Sequence, residues 1–181
     1  MNLRTPLFAL SASALVALLA ASPCQAAESG SAKPPSFEAQ SAATQAVAER
    51  YLRAYVAKDW DALGAELAEQ GSFHDAAARL VFGELHPRGR KAVLDYFRQV
   101  YSVLTTHEFK LERAFFSGDY AVFSAVADWS FAPSGQPAVR SKTPIVITLR
   151  VQNGQVLEHV DLTDYHPYLA AYRDALAAQP R

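Results

Sequence analysis

Asp75 is the first residue of this sequence whose type and position could do chemistry. It closes the segment Ser72-Phe73-His74-Asp75, which is typical of a short strand. On the inward face of a strand, desolvation would raise the pKa of this carboxyl from its free value of about 3.9 toward the range of a general base. The alternative is a turn residue that bonds its own backbone before Ala76. The residues alone leave both interpretations open.

A second group of polar side chains lies on the last predicted strand. One face carries Leu157, His159, Asp161, Thr163 and Tyr165, and the other carries Glu158, Val160, Leu162 and Asp164. Because strand side chains alternate with period two, a slip of one residue exchanges the two faces. The pattern therefore puts His159 and Asp161 on the same side, either both in a pocket or both outside.

Arg113 shares its face with a row of large apolar residues. Phe109, Leu111, Arg113 and Phe115 alternate with charged neighbours, so we expect Arg113 to point inward with them. A buried guanidinium needs a carboxylate partner, for which Asp75 or Asp161 would serve. Pairing with Asp75 would lower the pKa of that carboxyl and weaken its case as a base.

Several other kinds of site are not indicated. No two histidines have the helical spacing of metal ligands, and the adjacent His74 and Asp75 point to opposite faces of a strand, so we expect no metal site. No GxSxG, Walker or dinucleotide-binding motif occurs, and we expect no cofactor. The formal net charge is −1, which gives no basic field to attract nucleic acid.

Residues 1–26 are predicted to be a secretory signal peptide. Arg4 precedes an apolar run, Leu7 to Ala21, and small residues end at Ala26. The run of about 15 residues is short of the ~20 needed to span a membrane, so no membrane span is expected. Cleavage after Ala26 would remove Cys24 and leave the protein in the periplasm or secreted. A lipid anchor on Cys24 is the alternative, which Pro23 disfavours.

The mature chain is predicted to consist of a tether and one domain. Residues 27–41 are small, polar and proline-containing, which is typical of a flexible linker. Residues 42–178 have the length of a single domain.

The elements that position the candidate residues follow a clear order. Helical spacing occurs three times before residue 105, and period-two alternation dominates afterwards. Asn153-Gly154 predicts the tight turn of the last hairpin. The predicted elements are helices over Ala43–Val56, from Asp59 to near Gly71 and around Val93–Leu104, short strands at Ser72–Asp75 and Leu80–Phe82, and four long antiparallel strands after Thr106. The fold class is α+β.

In this order of elements the chain resembles the nuclear transport factor 2-like superfamily, in particular its SnoaL-like and ketosteroid isomerase-like members. The segments RYLRAYVAKDWDALGAELAEQGSFHD, HPRGRKAVLDYF and PIVITLRVQNGQVLEHVDLTDY carry the resemblance, which covers most of Ala48 to Tyr165. It implies a cone-shaped fold, with three N-terminal helices packed in a strongly curved, mostly antiparallel sheet that encloses a pocket.

The resemblance to ketosteroid isomerases also implies roles for individual residues. Their helix-one tyrosine and their carboxylate base fall on Tyr51 and Asp75. Their second donor, a protonated aspartate, falls on Val146, or on Ile147 if the turn is aligned instead, and both are apolar. The tyrosine that supports the phenol falls on Phe97, which leaves Tyr51 alone to stabilise an oxyanion.

Matching the last strand to the same family turns His159 and Asp161 into the pocket. The side chains expected to bind the ligand are aromatic or apolar, apart from one arginine. A row of aromatic residues more often belongs to the hydrophobic core than to a ligand site. They are Tyr55, Phe73, Phe97, Tyr101, Arg113, Phe115, Phe123, Trp129 and Val146, with Phe131 beside them.

Three hypotheses of function follow. The first is an isomerase, dehydratase or cyclase acting on an apolar carbonyl compound, with Asp75 as base, Tyr51 as donor and His159 or Asp161 orienting substrate or water. The second is a non-catalytic module of the cell envelope that binds an apolar small molecule in the same pocket. The third is a homodimer formed through an outer sheet face that carries Tyr120, Val122 and Val126.

Overall fold

The computed structural model describes residues 34–83, 86–132 and 134–178. The predicted signal peptide, Cys24 and the first part of the predicted linker lie outside the described residues. The helices are α1 (Phe37–Ala57), α2 (Trp60–Glu66), α3 (Arg90–Tyr101) and α4 (His166–Ala177). The strands are β1 (Leu67–Asp75), β2 (Leu104–Ser117), β3 (Tyr120–Phe131), β4 (Val139–Gln152) and β5 (Gln155–Thr163). The α+β class is confirmed.

The long helix α1 begins earlier than composition indicates. Ser36 caps it by accepting a hydrogen bond from the Ala39 amide at 3.2 Å. The helix ends at Ala57, and the next residue, Lys58, has a left-handed φ of 57°. Residues 37–41, which composition assigned to the tether, are therefore helical. The face of α1 that carries Val47, Tyr51 and Tyr55 is buried against the sheet.

All five strands form one mixed sheet in the order β1-β5-β4-β3-β2. The long strands pair antiparallel with their neighbours, and the edge strand β1 pairs parallel with β5. The β4–β5 turn is Asn153-Gly154, both with positive φ, as the sequence predicts. The parallel pairing brings the C-terminal end of β1 beside β5 and sets Asp75 opposite Asp161.

The predicted end of the second helix and one short predicted strand are wrong. The second helix ends at Glu66, because Leu67 leaves the helix to pair with Val156 of β5. The predicted strand Leu80–Phe82 is instead the end of a 3₁₀ turn, Ala78–Leu80, followed by a hydrogen-bonded turn in which the Phe82 amide donates to the Ala78 carbonyl at 2.7 Å. Short apolar runs do not distinguish strand from turn by periodicity.

Helix α4 is absent from the predicted elements. It packs against β4 and contributes Tyr168, which is buried and stacked on Trp129 with ring centroids 5.0 Å apart. Pro167 in its first turn and the spacing of Tyr168 and Tyr172 are signals that could have revealed it. Through Trp129, this helix supports one wall of the cavity described below. No helix among residues 34–83, 86–132 and 134–178 is long and apolar enough to cross a membrane.

Candidate functional site

The carboxylate of Asp75 uses its two oxygens differently. Oδ1 accepts hydrogen bonds from the backbone amides of Ala77 at 2.9 Å and Ala78 at 3.0 Å, which is the turn role. Oδ2 accepts a hydrogen bond from the Tyr165 hydroxyl at 2.7 Å. The turn role therefore occupies one oxygen, and Oδ2 keeps a lone pair to accept a proton.

Burial dominates the electrostatics of Asp75. The residue is 7% exposed, and desolvation raises the pKa of its carboxyl above the ordinary value. The hydrogen bonds from Tyr165 and the two backbone amides lower that pKa, while repulsion from Asp161 raises it further. The net upward shift is the direction that general-base catalysis requires.

On β5, His159 and Asp161 form a buried pair. The Nε2 atom of His159 lies 2.8 Å from Oδ1 of Asp161, and its Nδ1 lies 3.1 Å from the Tyr51 hydroxyl. The other Asp161 oxygen, Oδ2, accepts a hydrogen bond from the Tyr55 hydroxyl at 3.0 Å. Both members are nearly inaccessible, at 1% and 3% exposure, so α1 and β5 are joined by a polar network inside the core.

This network has one arrangement of protons that satisfies every member. A carboxylate only accepts, so Nε2 of His159 donates to Asp161, and a neutral ring then accepts from Tyr51 at Nδ1. Because the Tyr55 hydroxyl donates its proton to the hydrogen bond with Asp161, its oxygen accepts a hydrogen bond from the Tyr101 hydroxyl. The chain of hydrogen bonds thus runs from Tyr101 at the cavity to Tyr51 in the core.

The tyrosines around the carboxylates remain protonated. Burial is the largest cause that raises the pKa values of Tyr51, Tyr55, Tyr101 and Tyr165, and the nearby carboxylates add to it. Burial also raises the pKa of Tyr96 to about 12. These phenols therefore act as hydrogen-bond donors at neutral pH.

Two adjoining cavities open between α1, α3 and the sheet. The main cavity has a volume of about 80 Å³ and the side cavity of about 40 Å³, and both are open to solvent. Their shared wall consists of Tyr55, Phe82, Tyr101, Leu104, Asp161 and Tyr165. Asp75 and Tyr96 border the side cavity alone, while Phe109, Trp129, Thr143 and Ile145 are among the residues that border the main cavity alone.

The inward orientation of the polar face of β5 is as the resemblance implies. His159, Asp161 and Tyr165 are buried, and Asp161, Thr163 and Tyr165 border the main cavity. Leu157 is an exception on this face. The pairing of β4 with β5 shifts in register between Arg150 and Val151, and the buried residue at this point of β5 is Val156 instead of Leu157.

Arg113 and Phe115 do not face the cavity. Phe115 is 57% exposed, and Arg113 is exposed as well. The pairing of β2 with β3 shifts between Leu111 and Arg113, and such a bulge turns the following residues to the opposite face. Phe116 takes the inward place and packs on Phe123. The expectation that Arg113 pairs with Asp75 or Asp161 is therefore wrong.

Val146, which the family resemblance puts in the pocket, does not face it either. Its neighbours Ile145 and Ile147 are buried on the inner face, and Ile145 borders the main cavity, so Val146 lies on the opposite face of β4. The alternative position, Ile147, is on the inner side.

The remaining candidates divide between cavity wall and core. Tyr55, Phe73, Tyr101 and Trp129 border one or both cavities. Phe97 and Phe123 are buried in the core, and Tyr51 and His159 lie behind the wall with Tyr51 bonded to His159. A direct donor role for Tyr51 therefore does not fit this arrangement.

Several wall residues were not among the sequence candidates, including Tyr96, Phe82 and Thr143, and no role was predicted for Tyr165. Tyr165 shares the period-two face of His159 and Asp161, which is the signal that could have included it. Thr143 accepts a hydrogen bond from the Trp129 indole at 2.8 Å and so fixes that ring in the wall. Tyr96 and Phe82 gave no distinguishing signal.

The described residues contain no group of three or more His, Cys, Asp or Glu side chains placed to hold a metal ion. The arrangement can instead accept a proton, donate hydrogen bonds from phenols and enclose an apolar body. These are the elements of acid–base chemistry on a small organic molecule.

The structure is similar to solved proteins of one fold. A SnoaL-like polyketide cyclase, so named, from Shewanella putrefaciens is 23% identical and has a TM-score of 0.61, over 75% of this chain and 97% of that one. A protein with a ketosteroid isomerase-like fold from Catenulispora acidiphila, in complex with trimethylamine, is 18% identical with a TM-score of 0.58, over 74% and 97%. An NTF2-like protein from Burkholderia xenovorans is 14% identical with a TM-score of 0.57, over 72% and 96%.

At these identities the similarity establishes the fold, and it confirms the nuclear transport factor 2-like architecture. No curated protein matches the chain. The profile of the SnoaL-like domain matches residues 48–159, which is more than half of the sequence. This protein therefore belongs to the SnoaL-like domain family.

Proposed function

We propose that this protein binds a small, largely apolar carbonyl compound in the joined cavities and moves a proton on it by acid–base catalysis. The observation that carries the proposal is the convergence of two buried carboxylates, Asp75 and Asp161, on the side cavity. Four tyrosine side chains, Tyr55, Tyr96, Tyr101 and Tyr165, border the same space. The reacting end of the ligand lies there, and its apolar body lies in the main cavity.

The proposed step begins at Oδ2 of Asp75. This oxygen accepts a proton from the carbon next to the carbonyl, the C–H electron pair moves into the carbonyl group, and an enolate oxygen forms. The Tyr101 hydroxyl turns from Tyr55 to that oxygen and donates a hydrogen bond. Return of the proton from Asp75 to another carbon gives isomerisation. Loss of a β-hydroxyl group, which takes that proton and leaves as water, gives dehydration. Attack of the enolate carbon on a second carbonyl, whose oxygen takes the proton, gives cyclisation.

Asp161 and His159 orient the reacting groups. The two hydrogen bonds to Asp161, from His159 and Tyr55, fix the carboxylate in the wall, and its charge contributes to the raised pKa of Asp75. Similar solved proteins are named as a cyclase and as having an isomerase-like fold, which is consistent with proton transfer on carbonyl compounds.

The test begins with small molecules that copurify with the native protein, identified by mass spectrometry. Each identified carbonyl compound is then incubated with the protein in D₂O, and exchange of its α-protons is followed by NMR. Proton abstraction predicts exchange well above the uncatalysed rate. Ligands that bind without exchange would contradict the catalytic proposal.

A non-catalytic ligand-binding module is the second candidate. Tyr51 is engaged by His159, and the inner face of β4 offers the apolar Ile145 and Ile147 where a second oxyanion donor would stand. A similar structure is a complex with trimethylamine. Binding without α-proton exchange for every copurified ligand would favour this candidate.

The outer face of the sheet supports a proposal of homodimerisation. Tyr120 and Leu162 are 47% and 51% exposed, and Val122, Val126 and Val146 are half-buried on the same face. An apolar face of this kind is suited to a twofold contact. Light scattering at micromolar concentration is expected to give the mass of a dimer, and a monomer alone would contradict this.

Export is proposed from the N-terminal sequence. The protein recovered from the envelope or medium is expected to begin near Ala27, without Cys24 and without a lipid. Intact mass spectrometry checks this, since retention of residues 1–26 or the added mass of acyl chains would contradict it.

A further inference from the structure

The cavities carry negative charge without a matching cation in their walls. Asp75 and Asp161 are the charged residues among the described side chains that border them, and none of those bordering residues is Lys, Arg or His. His159 lies behind Asp161, where it is hydrogen-bonded to Asp161 and Tyr51, and it borders neither cavity. Buried charges in proteins are normally paired with an opposite charge or neutralised by a proton.

Lys58 is a nearby cation, but it lies outside the cavity walls. Its Nζ donates to the Leu104 carbonyl and lies 5.5 Å from the centroid of the Tyr101 ring. It is not among the residues that border either cavity.

A third buried carboxylate shows how this chain compensates such a charge elsewhere. Asp128 is 3% exposed and takes hydrogen bonds from Arg140 at 2.8 and 3.0 Å, with Lys142 at 3.4 Å. Hydrogen bonding to Arg140 is the main cause that lowers the pKa of Asp128 to about 2. At Asp75 the pKa moves the opposite way, because burial is not offset by a cation.

The walls around the two cavity carboxylates are aromatic. Tyr55, Tyr101, Phe82 and Tyr165 border both cavities, and Trp129 borders the larger one. Aromatic faces attract cations, most strongly where water is excluded. The contact of Lys58 with the Tyr101 ring is an instance of this attraction.

We propose that the ligand of this cavity carries a positive charge, as an alkylated ammonium group. The ammonium lies where Asp161 borders the main cavity, against the rings of Tyr55 and Tyr101, so the side cavity beside Asp75 is left to the reacting end of the ligand. The inference rests on the proposed function only in taking these cavities as the ligand site. It does not depend on catalysis.

A pair of isosteric probes tests the charge alone. Choline and 3,3-dimethyl-1-butanol have the same shape, but only choline carries a positive charge. Isothermal titration calorimetry on the folded protein at neutral pH and low salt is expected to show choline binding at least tenfold more tightly than the alcohol. Equal or tighter binding of the alcohol would overturn the inference, as would failure of both probes to bind at millimolar concentration.

Variants assign the effect to the site. Asp161→Asn keeps an acceptor for His159 and is expected to weaken choline binding at least tenfold, with binding of the alcohol unchanged. Asp61→Asn removes an equal charge at an exposed position on α2 and is expected to change neither affinity. Unchanged choline binding in Asp161→Asn would contradict the inference.

If Asp161→Asn fails to fold, Tyr101→Leu provides the second test, because it removes an aromatic face and keeps an apolar wall. Choline is then expected to lose more affinity than the alcohol, and an equal loss would overturn the inference. If the alcohol binds and choline does not, the cavity remains a ligand site and only the cationic ligand is excluded. The proposed function and this inference can therefore fail separately.

Discussion

Asp75 and Asp161 are opposite partners on the parallel strands β1 and β5, and both carboxylates border the same side cavity. The two residues are opposite each other because β5 lies beside the edge strand β1 in the sheet, although Asp161 follows Asp75 by about 85 residues in the sequence. Each carboxylate is held by a tyrosine, Asp75 by Tyr165 and Asp161 by Tyr55. Besides burial, which is the largest cause, repulsion from Asp161 raises the pKa of Asp75.

The first prediction separates the turn role of Asp75 from its charge. In Asp75→Asn, the amide oxygen still accepts from Ala77 and Ala78, and the amide nitrogen donates to Tyr165. Asp75→Ala loses all three hydrogen bonds and is expected to lower the free energy of unfolding by about 1–3 kcal/mol more than Asp75→Asn does. Urea denaturation measures both, and equal losses would contradict the geometry.

The second prediction concerns pH. The pKa of Asp75 is raised in the folded protein, so the proton on this group stabilises the fold below the unfolded pKa of about 3.9. That stabilisation is lost as the pH rises through the folded pKa. The unfolding free energy of the wild type minus that of Asp75→Asn is therefore expected to fall as the pH rises above about 4.

Asp128→Asn is the matched control for the pH experiment. The pKa of Asp128 is lowered to about 2, chiefly by Arg140, so the ionised carboxylate stabilises the fold and the effect is lost as the pH falls from about 4 to 2. The corresponding difference for Asp128 therefore rises with pH. The same sign at both positions would show that the burial of Asp75 is misassigned.

The third prediction tests the buried network. Tyr51→Phe removes the donor to Nδ1 of His159 and leaves that nitrogen buried without a partner, which is expected to cost about 1–3 kcal/mol of unfolding free energy. Tyr120→Phe removes a hydroxyl at an exposed position and is expected to stay within about 0.5 kcal/mol of the wild type. Thermal denaturation compares them, and equal effects would argue against the hydrogen bond.

The fourth prediction concerns Arg113. Because this residue is exposed after the bulge in β2, Arg113→Ala is expected to change the unfolding free energy by less than about 0.5 kcal/mol and to leave ligand binding unchanged. A loss of several kcal/mol of unfolding free energy, as expected when the partner of a buried charge is removed, would contradict this and would support the pairing with Asp75 or Asp161.

The contrast between β5 and β2 explains what the sequence could predict. On β5 the period-two pattern is regular from His159 to Tyr165, and the polar face was correctly grouped. On β2 two register shifts interrupt the pairing with β3. After each shift the side chains point to the opposite face of the sheet, and the residue pattern gives no sign of the change. Phe115 and Arg113 were therefore placed on the wrong side.

Long-range contacts account for the rest of what was missed. The hydrogen bond from Tyr165 to Asp75 joins residues 90 positions apart, and the bond from Tyr51 to His159 joins residues 108 apart. Such contacts depend on how β1 and α1 pack on β5, which local periodicity does not encode. A family resemblance supplied the position of Asp75, but not the engagement of Tyr51 by His159.

The most direct test of the central claim, that Asp75 is the proton acceptor of a ligand cavity, is α-proton exchange in D₂O by Asp75→Asn with a copurified carbonyl ligand. The proposal predicts exchange lowered by about 10²–10⁴-fold with ligand affinity little changed, while the Asp61→Asn control exchanges like the wild type. A folded Asp75→Asn protein that exchanges at the wild-type rate would contradict it.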